Sequence, residues 1–112
     1  MKKIYEEVIR FRDERKWGPV HNEKDLALSI VLEASELLEN FQWKSSEESV
    51  TDSRQNIKEE MADVLIYLIQ LADKLDVDLE EEVLLKLEKN ALKYPVHHEE
   101  EIEFDRIRSN EE

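Results

Sequence analysis

LALSIVLEASELL, residues 26–38, forms the most apolar helix that the sequence predicts. Leu and Ala favour helices, and apolar side chains fall on nearly every face of this one. A surface helix keeps one polar face, whereas a helix that is apolar all round is buried. We therefore expect this stretch to lie at the centre of a helical bundle or between the subunits of a homo-oligomer.

Apolar periodicity predicts three further helices around this central one. Gly18 and Pro19 end the first helix, and Asn22 and Asp78 are the predicted N-caps of the second and fourth. The polar run KSSEESVTDS at 44–53 has no helical periodicity and predicts an exposed loop. The predicted helices cover residues 3–16, 23–41, 54–75 and 79–94.

The composition indicates a single all-α domain. The chain has 112 residues, too few for two ordinary cores, and only one Gly and two Pro to form the turns of a many-stranded fold. We assign residues 1–95 to the folded domain and residues 96–112 to an acidic C-terminal tail.

The charge and the residue types limit the possible partners. With 29 acidic and 16 basic residues, the net charge of -13 disfavours attraction to nucleic acid or to an anionic membrane. Because there is no Cys, disulfides, zinc–cysteine sites and thiol nucleophiles are excluded. No secretory signal or long apolar run is visible, so we expect a soluble, cytoplasmic protein.

Four carboxylates lie in apolar stretches of the sequence, where burial of their charge is energetically costly. Glu33 and Glu36 share one face of the central helix, and Glu60 and Asp63 repeat the same spacing on the third predicted helix. Burying an ionised carboxylate without a partner costs several kcal/mol, and carboxylates that face one another also repel. A positive charge must therefore lie between them.

Two kinds of positive partner are compatible with the sequence. Arg12, Arg15 and Lys58 are available as basic partners. The alternative is a divalent cation held by oxygen alone, which favours Mg²⁺, with Mn²⁺ as a substitute, and disfavours zinc. A di-iron bundle would need Glu-x-x-His pairs, and none of the three histidines follows a Glu at that spacing.

A group of aromatic residues and one amide points to a nucleobase pocket. Trp17 and Trp43 directly follow helix ends, Tyr67 lies four residues after Asp63, and Asn90 interrupts an apolar stripe. Each aromatic residue alone is explained by ordinary packing. Together they provide the stacking and edge recognition that a base requires, and Mg²⁺ held by carboxylates keeps positions for substrate phosphates. We therefore hypothesise a phosphate-bearing nucleotide substrate.

The carboxylate pattern resembles the metal motif of a known family. Glu33-x-x-Glu36, 23 intervening residues and Glu60-x-x-Asp63 are similar to the motif of the MazG-like all-α nucleoside triphosphate pyrophosphohydrolases. Several blocks resemble the dCTP pyrophosphatase branch of that family, in the same order along the chain from about Phe11 to His97. These blocks are FRDERKW, FQWKS, EEMADVLIYL, VDL and KYPVH.

The resemblance implies a fold, a reaction and a site. It implies a four-helix bundle that forms an oligomer, usually a tetramer made of two tight dimers, and that splits a nucleoside triphosphate into the monophosphate and pyrophosphate. The implied catalytic residues and Mg²⁺ ligands are Glu33, Glu36, Glu60 and Asp63. The implied substrate-binding residues are Trp17, His21, Trp43, Tyr67, Asn90 and Tyr94, with Lys93 as a phosphate contact.

One position departs from the family pattern. Many members have a further acid immediately before the first ligand, and here that position is Leu32. Glu59, four residues before Asp63 on the other helix, could help to form a second metal site.

Three functions remain compatible with the sequence. The first is a house-cleaning pyrophosphohydrolase that acts on dCTP or a modified relative. The second keeps this activity but changes the substrate to dUTP or to a broad set of triphosphates. The third is a non-catalytic acidic helical module that forms an oligomer and binds a protein through its charged tail.

Overall fold

The computed structural model describes residues 1–96, which form helices joined by turns. The chain divides into two compact units, Met1–Leu79 and a second unit that begins at Glu80. The predicted acidic tail lies outside the described residues, apart from Val96. The helices are α1 Lys2–Glu14, α2 Glu23–Glu39, α3 Ser46–Asp52, α4 Arg54–Lys74 and α5 Leu79–Lys93.

The structure confirms the all-helical fold, and the four predicted helices begin and end within two residues of their expected positions. α2 begins after Asn22, whose side-chain oxygen accepts a hydrogen bond from the backbone N–H of Asp25 at 2.8 Å. This is the predicted N-cap, which satisfies one of the unpaired donors in the first turn of the helix.

The prediction of a loop at residues 44–53 was wrong, because α3 lies there. The Ser45 hydroxyl accepts a hydrogen bond from the backbone N–H of Glu48 and donates one to the Glu48 carboxylate, each at 3.1 Å. Ser49 is fully buried and donates to the carbonyl oxygen of Ser45 at 3.0 Å. This Ser-x-x-Glu cap starts a helix that apolar periodicity does not reveal. The described residues therefore hold five helices rather than four.

The core of the first unit lies mainly where α2 packs against α4, and α1 and α3 also contact α4. Leu26 on α2 and Ile69 and Ala72 on α4 are the buried apolar residues there. Other apolar side chains of α2 stay exposed, including Val31 and Leu32 at 61% and 63% of their surface. The single chain therefore leaves much of its most apolar helix uncovered.

Among the helices of residues 1–96, none combines the length and the apolar character needed to cross a membrane. The expected cytoplasmic location stays a prediction.

Candidate functional site

Three of the four predicted carboxylates meet where α2 packs against α4. Glu33 and Glu36 come from α2 and Glu60 from α4, and one carboxylate oxygen from each lies within 4.8 Å of the other two. We call these three residues the carboxylate cluster. Glu33 and Glu60 are half-buried and Glu36 is exposed, so the cluster is open on one side. Such a set of hard oxygen donors matches the preference of Mg²⁺.

Two oxygens of the cluster are buried without a partner. Among residues 1–96, the Oε2 atoms of Glu33 and Glu60 have no hydrogen-bond partner. Burial raises the pKa of Glu33 to about 7, and the neighbouring carboxylates add to this rise. Burial also raises the pKa of Glu60, although its interaction with Glu33 acts in the opposite direction. A bound cation would coordinate the unpartnered oxygens and would favour the ionised form of the carboxylates. The buried oxygens and the raised pKa values are therefore compatible with a cation site.

Asp63 lies one turn after Glu60 on α4 and is half-buried. Its charge contributes to the raised pKa values of Glu33 and Glu60. Its oxygens nevertheless lie outside the group of three that fall within 4.8 Å of one another. Its predicted role as a fourth ligand therefore stays a prediction.

The basic residues considered as partners of these acids are engaged elsewhere. Arg12 pairs with Asp73 at 2.8 Å and also with Asp13. The Arg15 guanidinium donates to the Phe11 carbonyl oxygen at 2.9 Å and lies over the Phe11 ring, 3.5 Å from its centre. Lys58 is exposed and forms no ion pair with the cluster among the described residues. None of the three therefore neutralises the carboxylates.

Two of the predicted pocket residues lie together in the turn between α1 and α2. The Trp17 ring packs edge-on against Phe11, with ring centres 5.7 Å apart, and its centre is 6.4 Å from that of His21. Among the described residues, the Nδ1 atom of His21 is buried and has no hydrogen-bond partner. The turn therefore holds an indole and an imidazole next to each other.

Trp43 and Tyr67 stand apart from this pair. Trp43 follows α2 with 99% of its surface exposed and a positive φ of 64°, while Tyr67 is half-buried on α4. Within residues 1–96 no ring contact joins either of them to Trp17 or His21. Trp43 is therefore accessible to a ligand or another chain, on a backbone conformation that non-glycine residues rarely adopt.

The remaining predicted pocket residues belong to the second unit. Asn90 and Lys93 lie on α5, and Tyr94 follows it directly. The Lys93 ammonium is 5.4 Å from the centre of the Tyr94 ring. That these three residues face the carboxylate cluster stays a prediction.

One polar contact beside the cluster has no signal in the sequence. The Asn56 amide of α4 donates to the side-chain oxygen of Asn40 at 2.8 Å, and Asn40 in turn donates to the Glu36 carbonyl oxygen at 3.3 Å. This contact ties the end of α2 to the first turn of α4, one turn away from Glu36. Neither amide falls in a motif or interrupts an apolar stripe.

The fold and the cluster define an all-α protein with a carboxylate site between two of its helices. The model of the MazG-like family matches residues 28–105, so the chain belongs to the MazG-like family. The family resemblance drawn from the sequence is thereby confirmed. The match includes both carboxylate pairs and α5, whereas Trp17 and His21 precede it.

Curated relatives and a solved structure extend this result. The chain is 42% identical over 92 residues to the proteins named dCTP pyrophosphatase 1 of Bos taurus and Mus musculus. Each match covers 78% of this chain and 54% of the relative, so the chain spans about half the length of these relatives. It is also similar to a crystallised pyrophosphatase from Archaeoglobus fulgidus, with 43% identity and a TM-score of 0.79, over 86% of this chain and 93% of that one.

Proposed function

We propose that this protein is a Mg²⁺-dependent nucleoside triphosphate pyrophosphohydrolase that converts dCTP or a related nucleotide into the monophosphate and pyrophosphate. The observation that carries the proposal is the pair of buried, unpartnered oxygens on Glu33 and Glu60, with Glu36 beside them. Its relatives named dCTP pyrophosphatase 1 support the reaction and the substrate class. The proposed catalytic and metal-binding residues are Glu33, Glu36, Glu60 and Asp63.

The chemistry of the donors supports Mg²⁺, with Mn²⁺ as a substitute, because all of them are carboxylate oxygens. When bound, the cation would supply charge neutralisation to the phosphates and lower the pKa of a coordinated water. Glu33 would have to give up its proton to act as a ligand. Glu36 would hold the cation from the exposed side of the cluster, where the substrate phosphates would enter.

The turn that holds Trp17 and His21 supports an extended ligand. It directly precedes α2, and the first residue of this helix, Glu23, lies about 15 Å from Glu33 along the helix axis. A molecule that touches both the turn and the cluster must therefore be long, with a planar group at one end and negative charge at the other. A nucleoside triphosphate has this shape, and its base would contact the substrate-binding residues Trp17, His21, Trp43, Tyr67, Asn90 and Tyr94, with Lys93 at a phosphate.

We also propose that the chain acts as a homo-oligomer, a tetramer formed from two dimers. The exposed apolar residues of α2 support this, since faces of this kind are covered in stable proteins. They include Leu28, Val31, Leu32 and Leu38, each with more than half of its surface exposed. The net charge of -13 makes nucleic acid and anionic membranes unsuitable partners.

The proposal is tested by measuring the products formed from a panel of nucleoside triphosphates in Mg²⁺. We expect equal amounts of monophosphate and pyrophosphate, with dCTP or a modified dCTP turned over fastest. Turnover of dUTP or of all triphosphates at similar rates would favour the broader specificity. No turnover, with no thermal stabilisation by Mg²⁺ and any nucleotide, would favour the non-catalytic module.

A matched pair of variants shows whether the cluster is responsible. Glu60→Gln removes a charge from the cluster, while Glu39→Gln removes an exposed carboxylate of α2 three residues beyond Glu36. We expect loss of activity in the first variant alone. Equal activity in both would contradict the assignment of the cluster as the active site.

A further inference from the structure

The end of α1 and the turn that follows it are each tied to the end of α4 by a polar contact. The Lys74 ammonium donates to the carbonyl oxygen of Gly18 at 2.7 Å. The Arg12 guanidinium, at the end of α1, forms an ion pair with Asp73 at 2.8 Å. Asp73 and Lys74 are the last two residues of α4, so both contacts converge on one point of the fold.

These contacts are partly shielded from water. The Arg12 side chain is only 12% exposed and the Asp73 side chain 32%. The second carboxylate oxygen of Asp73 accepts a hydrogen bond from the Tyr5 hydroxyl at 3.1 Å. Both oxygens of Asp73 are thus bonded to α1. Charge-assisted hydrogen bonds of this kind hold their geometry better than exposed ion pairs do.

The turn itself carries the two aromatic residues of the proposed pocket. Trp17 donates its backbone N–H to the Arg12 carbonyl oxygen at 3.1 Å, and its own carbonyl oxygen accepts from His21 at 3.3 Å. Gly18, held by Lys74, lies between these two residues in the chain. Shifting the Gly18 carbonyl would therefore move both rings.

The turn begins with a local helix cap and continues beyond it. Lys16 has a φ of 57° and occupies the left-handed position of a Schellman motif at the end of α1. The Lys16 N–H donates to the Asp13 carbonyl oxygen at 3.0 Å, and the Trp17 N–H donates to the Arg12 carbonyl oxygen at 3.1 Å. Gly18 lies past this cap, where its carbonyl oxygen accepts the hydrogen bond from Lys74.

We infer that Arg12, Asp73 and Lys74 form a clamp that positions Trp17 and His21 for the base of the nucleotide. The three residues are positioning residues, since they act on the turn and belong to neither the carboxylate cluster nor the proposed pocket. The identity of the ligand in this inference rests on the proposed function. The position of Trp17, which the clamp would fix, does not depend on that function. Lys74 is the most informative of the three because its ammonium bonds a backbone carbonyl of the turn directly.

Kinetics in the full chain test the clamp. Lys74→Met keeps the length of the side chain and removes the donor, Lys74→Arg restores a donor, and Lys58→Met is the control on an exposed lysine of the same helix. We expect Lys74→Met to raise the KM for dCTP roughly tenfold with kcat nearly unchanged. This is the result expected when the lost contact stabilises the bound substrate and the transition state equally. We expect Lys74→Arg to recover most of the loss. An equal effect of Lys58→Met, or no recovery with Lys74→Arg, would overturn the inference.

Fluorescence of Trp17 separates the clamp from the proposed activity. The chain has two Trp, so in a Trp43→Phe background Trp17 is the only one. We expect Lys74→Met to increase quenching of Trp17 by acrylamide, without nucleotide and at an unchanged circular dichroism spectrum. Asp73→Asn should do the same if Lys74→Met folds poorly. If Lys74→Met and Asp73→Asn both show the same quenching as Lys58→Met, the clamp is overturned. If the quenching increases as expected but the wild-type protein has no activity, only the proposed function is overturned.

Discussion

Glu33 on α2 and Glu60 on α4 each bury one carboxylate oxygen without a hydrogen-bond partner, at the contact between the two most closely packed helices of the described residues. Carboxylates that repel one another at a helix contact weaken the fold unless a proton or a cation lies between them. A proton or the proposed cation would stabilise the site, and the two would compete for the same oxygens.

The first prediction concerns the pH dependence of the metal-free protein. Burial raises the pKa of Glu33 from its ordinary value of 4.5 to about 7. Between these values the folded chain holds a proton that the unfolded chain has lost, so the free energy of unfolding falls as pH rises through this window. We expect the Tm in EDTA to decrease from pH 5 to pH 8.

The control for this prediction is Glu33→Gln, which cannot titrate. Its Tm should fall less over the same pH range than that of the wild-type protein. Equal slopes for the two proteins would show that Glu33 has an ordinary pKa.

The second prediction concerns loss of one ligand charge. Glu36→Gln and Asp63→Asn keep the side-chain shape, so the protein should stay folded while turnover falls by about 100-fold or more. The Tm of the metal-free form should rise, because fewer negative charges then repel one another. Steady-state kinetics and thermal melts in EDTA measure the two effects. A variant of either residue with wild-type turnover would remove that residue from the ligand set.

The third prediction concerns the bond that breaks. The family resemblance places the attack of water on the α-phosphorus, with pyrophosphate as the leaving group. Hydrolysis in ¹⁸O-labelled water should therefore put the label in the nucleoside monophosphate and leave the pyrophosphate unlabelled. Mass spectrometry of both products reads this out. Orthophosphate with a nucleoside diphosphate would contradict the proposed reaction.

The fourth prediction concerns base selection. Asn90→Ala removes the amide proposed to bind the edge of the base. The preference for one base over another should therefore fall by about 10-fold or more, because a site built around a hydrogen bond rejects bases that cannot form it. Trp43→Ala should weaken binding of all bases similarly through lost stacking. Ratios of kcat/KM for dCTP and dUTP measure the difference. An unchanged ratio in Asn90→Ala would assign base selection to other residues.

The fifth prediction concerns oligomeric state. Leu32 on α2 has 63% of its surface exposed in the single chain, and burial of such residues stabilises contacts between subunits. We expect a tetramer in sedimentation at micromolar concentration. Leu28→Glu, one turn before Leu32 and also more than half exposed, should dissociate it and lower activity, whereas Glu39→Gln should leave the assembly intact. A monomeric wild-type protein would contradict the proposal.

The sequence by itself determined the features that depend on neighbours a few residues apart. The spacing of Glu33 and Glu36 places both on one face of a helix, and Asn22 caps that helix through a residue three positions away. Such contacts follow from helix geometry alone. The same local rule operates at Ser45 and Glu48, but this short helix has no apolar stripe, so apolar periodicity does not predict it.

Only the tertiary structure decided which distant residues meet. It brings Glu60 into contact with the α2 carboxylates and leaves the Asp63 oxygens outside that group. It also pairs Arg12 with Asp73, 61 residues away, and Lys74 with Gly18, 56 residues away. A helix fixes the faces that its side chains occupy, but the rotation and offset of one helix on another depend on the whole packed core. For this reason the carboxylate motif was predictable, whereas the clamp that holds the Trp17 turn was not.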